Sequence, residues 1–446
     1  PPPHRYTPPM DTVDTLIFAG WLLPVAPENI ALTQYGVAIA NQRIVAVEPN
    51  ETLAANYQAE QLFDLRDHIV LPGLINAHGH AAMTLLRGAG EDLSLQAWLN
   101  QTIWPLEAEH MDAEAVALGT QLAIAEMLAT GTTTFSDMYY FPEAIASEAK
   151  AAGMRCQITF PIIQFATAWS QDADDALHKG LALHDAYRHD ELIRVALGPH
   201  SAYTLTQKDL ERVAMYANEL NLGVQIHMHE NAQEVAGAHQ QIGRSWLALL
   251  RDIGLLSPQL QAVHMTQLTS EEIDWIAQSD TRIVHCPTSN MKLASGTCPV
   301  ATLRQHGITV GLGTDGGASN NTLDMFAEMR HGALLAKLAQ ANPEHGRAKD
   351  QIKMATLDGA KTIGMESEVG SLEVGKAADI CCVRTNRFAS QPMHDAFAAL
   401  VHGGAGCGVD HVFVNGTCVL RDGTLKRIDK DALLARTQRW WQSRFD

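Results

Sequence analysis

The chain has 446 residues, of which 46% are hydrophobic and 18% are charged, and its formal net charge is −18. This length can hold one large core or two domains, and the composition has no signature of disorder. The negative balance argues against nucleic acid or an anionic membrane surface as a partner, and no apolar run approaches the roughly 20 residues of a membrane span. Seven cysteines without a CxxC pair predict reduced thiols and a cytoplasmic location.

The two ends of the chain are rich in β-forming residues. The proline-rich start predicts a disordered arm over residues 1–12, and residues 13–70 contain short runs broken by glycine, proline and asparagine, which predict strands. The β pattern returns over residues 366–446, where Asn415-Gly416 and Asp422-Gly423 mark turns. Because chain ends that flank a domain often lie close together, we expect both flanks to form one small composite β-sandwich domain, with a helix at the C-terminus.

Residues 71–365 alternate apolar runs with helical segments, several of which end on a glycine suited to a left-handed C-cap. The eight apolar runs are LINAHGH, TTTFSDMYY, RCQITFPI, RVALGPHSAY, GVQIHMHE, QAVHMTQ, RIVHCPTSN and TVGLGTDGG. Eight β/α units predict an α/β fold of the (β/α)8 TIM barrel type. A doubly wound open sheet is the alternative, but no GxGxxG or Walker loop follows the first run.

Histidines stand at the ends of these predicted strands, where the active sites of such barrels lie. The first strand, starting near Leu71, ends on His78 and His80, which share one face of an extended backbone. With one histidine from the fifth strand and Asp315 from the eighth, they would form a metal site of three nitrogens and one oxygen, with a position left for water. A metal held in this way supplies a water of lowered pKa, and Asp315 could accept its proton.

The fifth strand offers two candidate ligands, His227 and His229, on the same face. We favour His227, because Glu230 then lies past the strand end and can act as a general acid or base. His229 would pack beside the site or support it, and Glu234 would be a solvated helix residue. The fourth strand ends in Gly198–Ser201 without a lysine, which predicts one divalent metal ion per subunit; zinc, iron and manganese all suit these ligands.

This pattern resembles the amidohydrolase superfamily over nearly the whole chain. The resemblance is carried by the HxH of the first strand, the H-x-x-E of the fifth, His264 on the sixth and Thr314-Asp315 on the eighth. Several segments are similar to those of the 5′-methylthioadenosine/S-adenosylhomocysteine deaminases: LPGLINAHGHAAMTLLRG, WLNQTIWPLEAEH, LGPHSAYT, HCPTSNMKLASG and GTDGGASNN. The resemblance also implies the composite β-sandwich.

The resemblance implies a role for each residue at a matching position. Zinc would be bound by His78, His80, His227 and Asp315. Glu230 would protonate the purine ring nitrogen and His264 would orient the attacking hydroxide, so that oxygen adds to C6 of adenine and ammonia leaves. The substrate would be a small-molecule nucleoside, and barrels of this size predict a homo-oligomer.

The resemblance also implies a nucleoside pocket. Glu107 would bind the ribose hydroxyls, His200 would contact the nucleoside, and Trp98 would pack near the substrate, although a place in a helix core is the alternative for Trp98. We assign no role to His285, and we interpret the neighbouring Ser289-Asn290 pair as fixing the structure of the loop.

One segment departs from the family pattern. Some relatives hold the carboxylate of the homocysteine tail with arginines in the loop after the third strand. In this chain that loop contains no arginine and carries Asp172, Asp174 and Asp175, while Arg155 lies inside the strand and is interpreted as structural. Since a carboxylate there would meet repulsion, we expect a preference for neutral 5′-substituted adenosines, such as methylthioadenosine or adenosine, over S-adenosylhomocysteine.

Two other functions stay open. The first is a deaminase or dechlorinase that acts on guanine, cytosine or an s-triazine on the same scaffold, since one fold hosts many reactions. The second is a metal-binding protein without catalysis, in which Glu230 would be idle.

Overall fold

A computed structural model of the chain describes residues 10–445. Its amino-terminal part contains five strands and one short helix. These are β1 (Asp11–Leu22), β2 (Leu32–Thr33), β3 (Tyr35–Ala40), β4 (Arg43–Pro49), α1 (Asn50–Asn56) and β5 (Tyr57–Pro72). The two long strands, β1 and β5, pair in parallel, whereas β3 pairs antiparallel with both β1 and β4.

The start of β1 corrects the interpretation of residues 1–12 as a disordered arm. Asp11 and Thr12 belong to this strand, because they pair with Tyr57 and Gln58 of β5. Residues 1–9, on which the rest of that prediction falls, lie outside the described residues.

The middle of the chain forms a second sheet, in which all neighbouring strands are parallel. Its strands are β6 (Leu74–His80), β7 (Thr132–Asp137), β8 (Arg155–Ile162), β9 (Ile193–Pro199), β10 (Val224–Met228), β11 (Leu260–His264), β12 (Arg282–His285), β13 (Val310–Leu312) and β14 (Asp315–Gly316). They lie side by side in chain order, and β14 pairs with β6. Since β13 and β14 are two parts of one eighth strand, the sheet closes, and the predicted (β/α)8 barrel is confirmed.

The interruption of the eighth strand lies beside the first strand. A Cβ atom on Gly313 would be 2.9 Å from both the backbone nitrogen and the backbone oxygen of His78. Only glycine permits so close an approach. The contact between β6 and β14, where the barrel closes, therefore places Thr314 and Asp315 next to the end of β6.

Helices follow every barrel strand and form the outer layer. They are α2 (Leu95–Trp98), α3 (Trp104–His110), α4 (Ala113–Ala129), α5 (Pro142–Ala152), α6 (Ala173–Tyr187), α7 (Gln207–Leu220), α8 (Ala232–Ile242), α9 (Trp246–Asp252), α10 (Ser270–Ser279), α11 (Pro287–Lys292), α12 (Val300–Gln305), α13 (Gly317–Asn320), α14 (Met325–Ala339), α15 (Ala348–Met354) and α16 (Leu357–Thr362). A π-helical turn, Leu99–Ile103, joins α2 to α3. Capping boxes begin α7 and α10, formed by Thr206 with Asp209 and by Thr269 with Glu272.

The carboxyl-terminal flank adds four strands and two helices. They are β15 (Ile380–Arg384), α17 (Ala396–His402), β16 (Val409–Val414), β17 (Thr417–Arg421), β18 (Thr424–Leu425) and α18 (Lys430–Phe445). The strand β15 pairs antiparallel with β5 and thereby joins both flanks in one mixed sheet, in the order β18-β17-β16-β15-β5-β1-β3-β4. Asn415 Nδ2 donates to Gln42 Oε1 at 2.8 Å, so the turn between β16 and β17 meets the turn between β3 and β4, and Ile39 and Phe413 share one core.

Two boundaries differ from the sequence analysis. Leu71 was expected to start the first barrel strand, but it pairs with Cys381 as the penultimate residue of β5, and the barrel begins at Leu74. The flank 366–446 was assigned wholly to the β domain, but α17 and α18 pack on barrel helices, where Arg436 Nη1 donates to Gln121 Oε1 at 2.8 Å. Across residues 10–445, no helix has the length and apolar character that crossing a membrane requires.

Candidate active site

Four side chains meet at the carboxyl end of the barrel. His227 Nε2 lies 3.2 Å from His78 Nε2 and 3.3 Å from His80 Nε2. Asp315 Oδ1 lies 3.4 Å from His78 Nε2 and 3.2 Å from His80 Nε2. Four metal bonds of about 2.0–2.1 Å in a tetrahedron would set ligand atoms roughly 3.3 Å apart. The spacing of the four atoms fits that geometry.

The protonation pattern of the three histidines also fits a cation. The Nδ1 atom of each ring faces a hydrogen-bond acceptor: Met138 O for His80 (2.6 Å), His200 O for His227 (2.6 Å) and Gln225 Oε1 for His78 (2.7 Å). Each Nδ1 therefore carries a hydrogen, and a neutral ring in this orientation presents the lone pair of Nε2 to the cluster. Three neutral rings would thus direct three lone pairs, together with a carboxylate oxygen, at one point, which suits a divalent metal.

The carboxylate of Asp315 is held from the side opposite the histidines. Ser289 Oγ and Ser319 Oγ donate to Oδ2 at 2.6 and 3.0 Å, which leaves Oδ1 toward the three rings. Asp315 itself has a φ of +61°, and His264 has a φ of +79°, values that are uncommon for residues other than glycine. Backbone strain of this kind clusters at functional sites, where the surrounding structure enforces it.

Glu230 and His264 face each other beside the four-atom cluster. The distance from His264 Nε2 to Glu230 Oε2 is 3.9 Å, and both side chains are buried. Burial, followed by the negative charge of Asp315, raises the pKa of Glu230 to about 8. Burial lowers the pKa of His264 to about 4, so that its imidazole is neutral at pH 7. Asn290 Nδ2 lies 3.0 Å from His264 Nδ1, and with Nδ1 as the acceptor of this bond the ring hydrogen is on Nε2, toward Glu230.

The turn after β10 is fixed by a carboxylate. Glu234 Oε1 accepts from the backbone N–H of His229 at 2.9 Å, and its Oε2 accepts from that of Glu230 at 2.7 Å. On the other side, Thr266 Oγ1 donates to the backbone oxygen of Glu230 at 2.6 Å. Glu234 was interpreted as a solvated helix residue, and that interpretation is wrong, because both carboxylate oxygens are bound inside the turn.

The predicted substrate-binding residues line the pocket that opens above the cluster. Glu107 is buried, and Tyr139 donates its hydroxyl to Glu107 Oε1 at 2.7 Å. Burial raises the pKa of Glu107 to about 7. Trp98 lines the same pocket and donates its indole N–H to Ala89 O at 3.2 Å. His200 forms the wall next to His227, with ring centroids 4.6 Å apart.

The π-helical turn between Trp98 and Glu107 shapes this wall. It allows Leu95, Trp98, Leu99 and Glu107, which lie on one run of helix, to line the same pocket. Single π-turns inside helices are frequent at functional sites.

Two further histidines of the sequence analysis lie outside the cluster. His229 is buried and directs Nδ1 to Gln267 O at 2.9 Å, away from the other ring nitrogens. His285 is buried at the end of β12 and lies outside the four-residue donor group. The structure thus brings together every residue that was predicted to bind metal, substrate or the attacking oxygen.

Four residues of the site were missed or interpreted otherwise. Gln225 could have been noticed, because it precedes His227 by two residues and shares its face of β10. Tyr139 follows the end of β7, which is a position where site residues occur. Ser289 and Asn290 were interpreted as fixing the structure of the loop. In the structure, Ser289 donates to Asp315 and Asn290 contacts His264.

Known proteins are similar to this chain in sequence and in fold. The amidohydrolase family model matches residues 69–419. The 5-methylthioadenosine/S-adenosylhomocysteine deaminase of Teredinibacter turnerae is 44% identical over 429 residues, which are 96% of this chain and 97% of that protein. The protein of the same name from Saccharophagus degradans is 42% identical over 427 residues, 96% of each chain.

Solved structures give the same result. An adenosine deaminase from Xanthomonas campestris with bound zinc superimposes with a TM-score of 0.96 at 41% identity, over 98% of this chain and 99% of that one. Atrazine chlorohydrolase from Arthrobacter aurescens, complexed with zinc, has a TM-score of 0.90 at 23% identity, over 96% and 99% of the two chains, and shares the fold. The resemblance predicted from the sequence is confirmed, and the chain belongs to the amidohydrolase family.

Proposed function

We propose that the protein is a metal-dependent deaminase that replaces the C6 amino group of adenine in 5′-substituted adenosines with oxygen. Its main substrate is 5′-methylthioadenosine, which it converts to 5′-methylthioinosine and ammonia, and adenosine and S-adenosylhomocysteine are further substrates. The observation that carries the proposal is the pairing of Glu230 and His264 beside the four-ligand cluster.

The metal is zinc, held by His78, His80, His227 and Asp315. Support comes from the choice of three imidazoles and one carboxylate, which suits zinc, and from the zinc in the adenosine deaminase of Xanthomonas campestris. When bound, the ion supplies a water molecule acidic enough to lose a proton near neutral pH.

The protein groups then move the protons. Asp315 accepts one proton from the water, and Glu230, protonated at neutral pH because of its raised pKa, donates its own proton to the ring nitrogen next to C6. His264 donates Nε2–H to the oxygen that forms the new C6–O bond. The proton on Asp315 passes to the amino group, which leaves as ammonia, and the second proton of the water returns to Glu230 as the carbonyl forms.

The nucleoside is held by the pocket wall. Glu107 accepts hydrogen bonds from the ribose hydroxyls, while His200 and Trp98 contact the nucleoside. A free base or a triazine lacks the ribose. Glu107→Ala should therefore lower nucleoside turnover strongly and leave free-base turnover nearly unchanged, which separates the proposal from a base deaminase or dechlorinase on the same scaffold.

The loop after β8 supports a preference for a neutral 5′ group. Lys179, on α6 after that loop, donates to Asp175 Oδ2 at 2.9 Å and to Trp169 O at 2.6 Å. Arg212, on α7, is paired with Asp174. Both cations are therefore already paired with aspartates of this chain, and neither is free to pair with a substrate carboxylate.

The substrate assay is an ultraviolet measurement of deamination for methylthioadenosine, adenosine, S-adenosylhomocysteine, guanine and cytosine, with metal analysis on the same sample. We expect the highest kcat/KM for methylthioadenosine, loss of activity on chelation and recovery with zinc. A clear preference for S-adenosylhomocysteine would contradict the neutral-tail proposal, and turnover of free bases alone would contradict the whole assignment.

Glu230→Gln separates an enzyme from a metal-binding protein. The amide cannot transfer a proton, so kcat should fall by roughly 10²–10⁴-fold, the usual contribution of a general acid. The zinc content should match that of the parent, because Glu230 lies outside the ligand cluster. Unchanged turnover in this variant would exclude the proposed role of Glu230.

A further inference from the structure

The three ligand histidines differ in what holds their second nitrogen. For His80 and His227 the acceptor is a backbone carbonyl, and for His78 it is a side chain, Gln225 Oε1 at 2.7 Å. His78 is fully buried, so water offers no replacement for this acceptor. The tautomer of His78 thus depends on one side chain that can be substituted.

The orientation of the Gln225 amide is fixed by its surroundings. Its Nε2 atom lies 2.9 Å from Ala77 O and 2.9 Å from Gln261 Oε1, and Ala77 O can only accept. The nitrogen must therefore face Ala77, which leaves Oε1 for His78. Gln261 in turn accepts from Gln157 Nε2 at 2.9 Å, so that buried amides fill the barrel beneath the metal ligands.

We propose that Gln225 is a positioning residue of the metal site. By accepting from Nδ1–H of His78, it keeps the hydrogen off Nε2 and directs the Nε2 lone pair at the metal. Outer partners of this kind orient a ligating histidine and increase its basicity, and their loss costs roughly 10–100-fold in metal affinity. The inference rests on the metal site of the proposed function.

The experiment measures the zinc dissociation constant by competition with a chromophoric chelator, in the parent and in Gln225→Met. Methionine has a similar shape but is a poor acceptor. We expect a roughly 10–100-fold larger zinc Kd, and activity that returns when zinc is added in excess. Rescue by zinc is a readout that a merely structural defect would not give.

Gln157→Met is the matched control. Gln157 is 3% exposed, close to the 0% of Gln225, and belongs to the same amide network, but its bonds go to Gln261, Ser136 and Thr159 and not to His78. It should lose stability and keep the parent zinc Kd. Gln225→Glu, whose protonated carboxyl group can accept from His78 and donate to Ala77, should stay close to the parent.

The outcomes separate the two proposals. An unchanged zinc Kd in Gln225→Met, or an equal loss in Gln157→Met, overturns the role of Gln225 and leaves the proposed function intact. A parent enzyme that binds no zinc overturns both. If Gln225→Met does not fold, Gln225→Asn gives the same test, because its amide is one methylene too short to reach His78.

Discussion

Two buried glutamates of one pocket are suited to opposite tasks. Burial raises the pKa of Glu230 to about 8 and that of Glu107 to about 7. The proposed function needs the proton of Glu230 and the negative charge of Glu107. Both needs are met together between about pH 7 and pH 8, where Glu107 is ionised and Glu230 keeps its proton, and the hydroxyl of Tyr139 favours the charged form of Glu107 by donating to it.

At low pH, Glu107 should bind the ribose hydroxyls more weakly. Its pKa is raised above the ordinary value of about 4.3, so the carboxylate takes up a proton as the pH falls through about 7. We therefore expect the KM for the nucleoside to rise as the pH falls below that value, as measured by initial rates on both sides of it. Glu107→Gln, which does not titrate, should have a high KM that varies little; an equally steep rise in this variant would contradict the assignment.

The sequence predicted the ionisable residues of the site more easily than the neutral ones. His78, His80 and Asp315 stand at strand ends, and few structural needs place such groups there. Gln225 and Asn290 carry no comparable signal, because amides are common in turns and interiors. Their roles depend on which strands are neighbours, and only the arrangement of β6, β10, β11 and β12 in one barrel shows this.

The β10–α8 turn is the element that aims Glu230. Asn231 caps α8 by accepting from the backbone N–H of Glu234, and the Glu234 side chain binds the two N–H groups at the end of the strand. The start of α8 and the turn that carries Glu230 therefore form one hydrogen-bonded unit. The sequence indicated a helix here but not the clamp, since a glutamate in the first helical turn is usually solvated.

Removing this clamp should slow catalysis without releasing the metal. In Glu234→Gln one of the two N–H groups loses its acceptor, and a displacement of Glu230 by about 1 Å can cost up to 10²-fold in rate. We expect kcat to fall by roughly 10–10²-fold, with zinc content unchanged, as measured by steady-state kinetics and metal analysis. Glu211→Gln, an exposed glutamate on α7, is the control and should match the parent. A fall in metal content equal to the fall in kcat would refute the positioning role.

The eighth strand has a feature that the sequence pattern does not predict. The run TVGLGTDGG was recognised as a strand, and β13 and β14 occupy it, but the break at Gly313 and Thr314 was not foreseen. Asn76 fills the break, because its Oδ1 accepts from Thr314 N at 2.9 Å and its Nδ2 donates to Thr314 Oγ1 at 2.7 Å. Such a contact joins residues more than two hundred positions apart, which no local periodicity reports.

At the scale of the molecule, the barrel and the β domain are interleaved. One residue, Gly73, separates the end of β5 from the start of β6, and the carboxyl-terminal flank returns to pair with β5. Amino-acid composition was enough to predict that the two flanks join in one domain, because both contain β-forming runs separated by turn residues. It could not predict that α17 and α18 cover the barrel, since an amphipathic helix does not indicate its partner.

A buried ion pair links the two units. Arg155, at the start of β8, places Nε 3.0 Å from Asp379 Oδ2 and Nη2 3.2 Å from Asp379 Oδ1, and both side chains are 2% exposed. Asp379 Oδ1 also accepts from the backbone N–H of Asn415 at 2.7 Å. The structural role inferred for Arg155 from its place inside a strand thus has a specific partner in the other domain.

Asp379→Asn should destabilise the whole protein. The substitution removes the carboxylate nearest to the buried Arg155 guanidinium and leaves Glu368, whose Oε2 lies 3.6 Å from Nη1, as the remaining counter-charge. Breaking a buried pair costs about 3–5 kcal/mol, and we expect a loss of up to that size. Urea denaturation, followed by tryptophan fluorescence and by far-ultraviolet circular dichroism, should report a lower midpoint by both probes, because the pair joins both domains. Asp64→Asn, which breaks an exposed pair with Arg66 whose side chains are 53% and 52% exposed, should change the midpoint little. Equal effects of the two substitutions would mean that the stability of the two domains does not depend on this link.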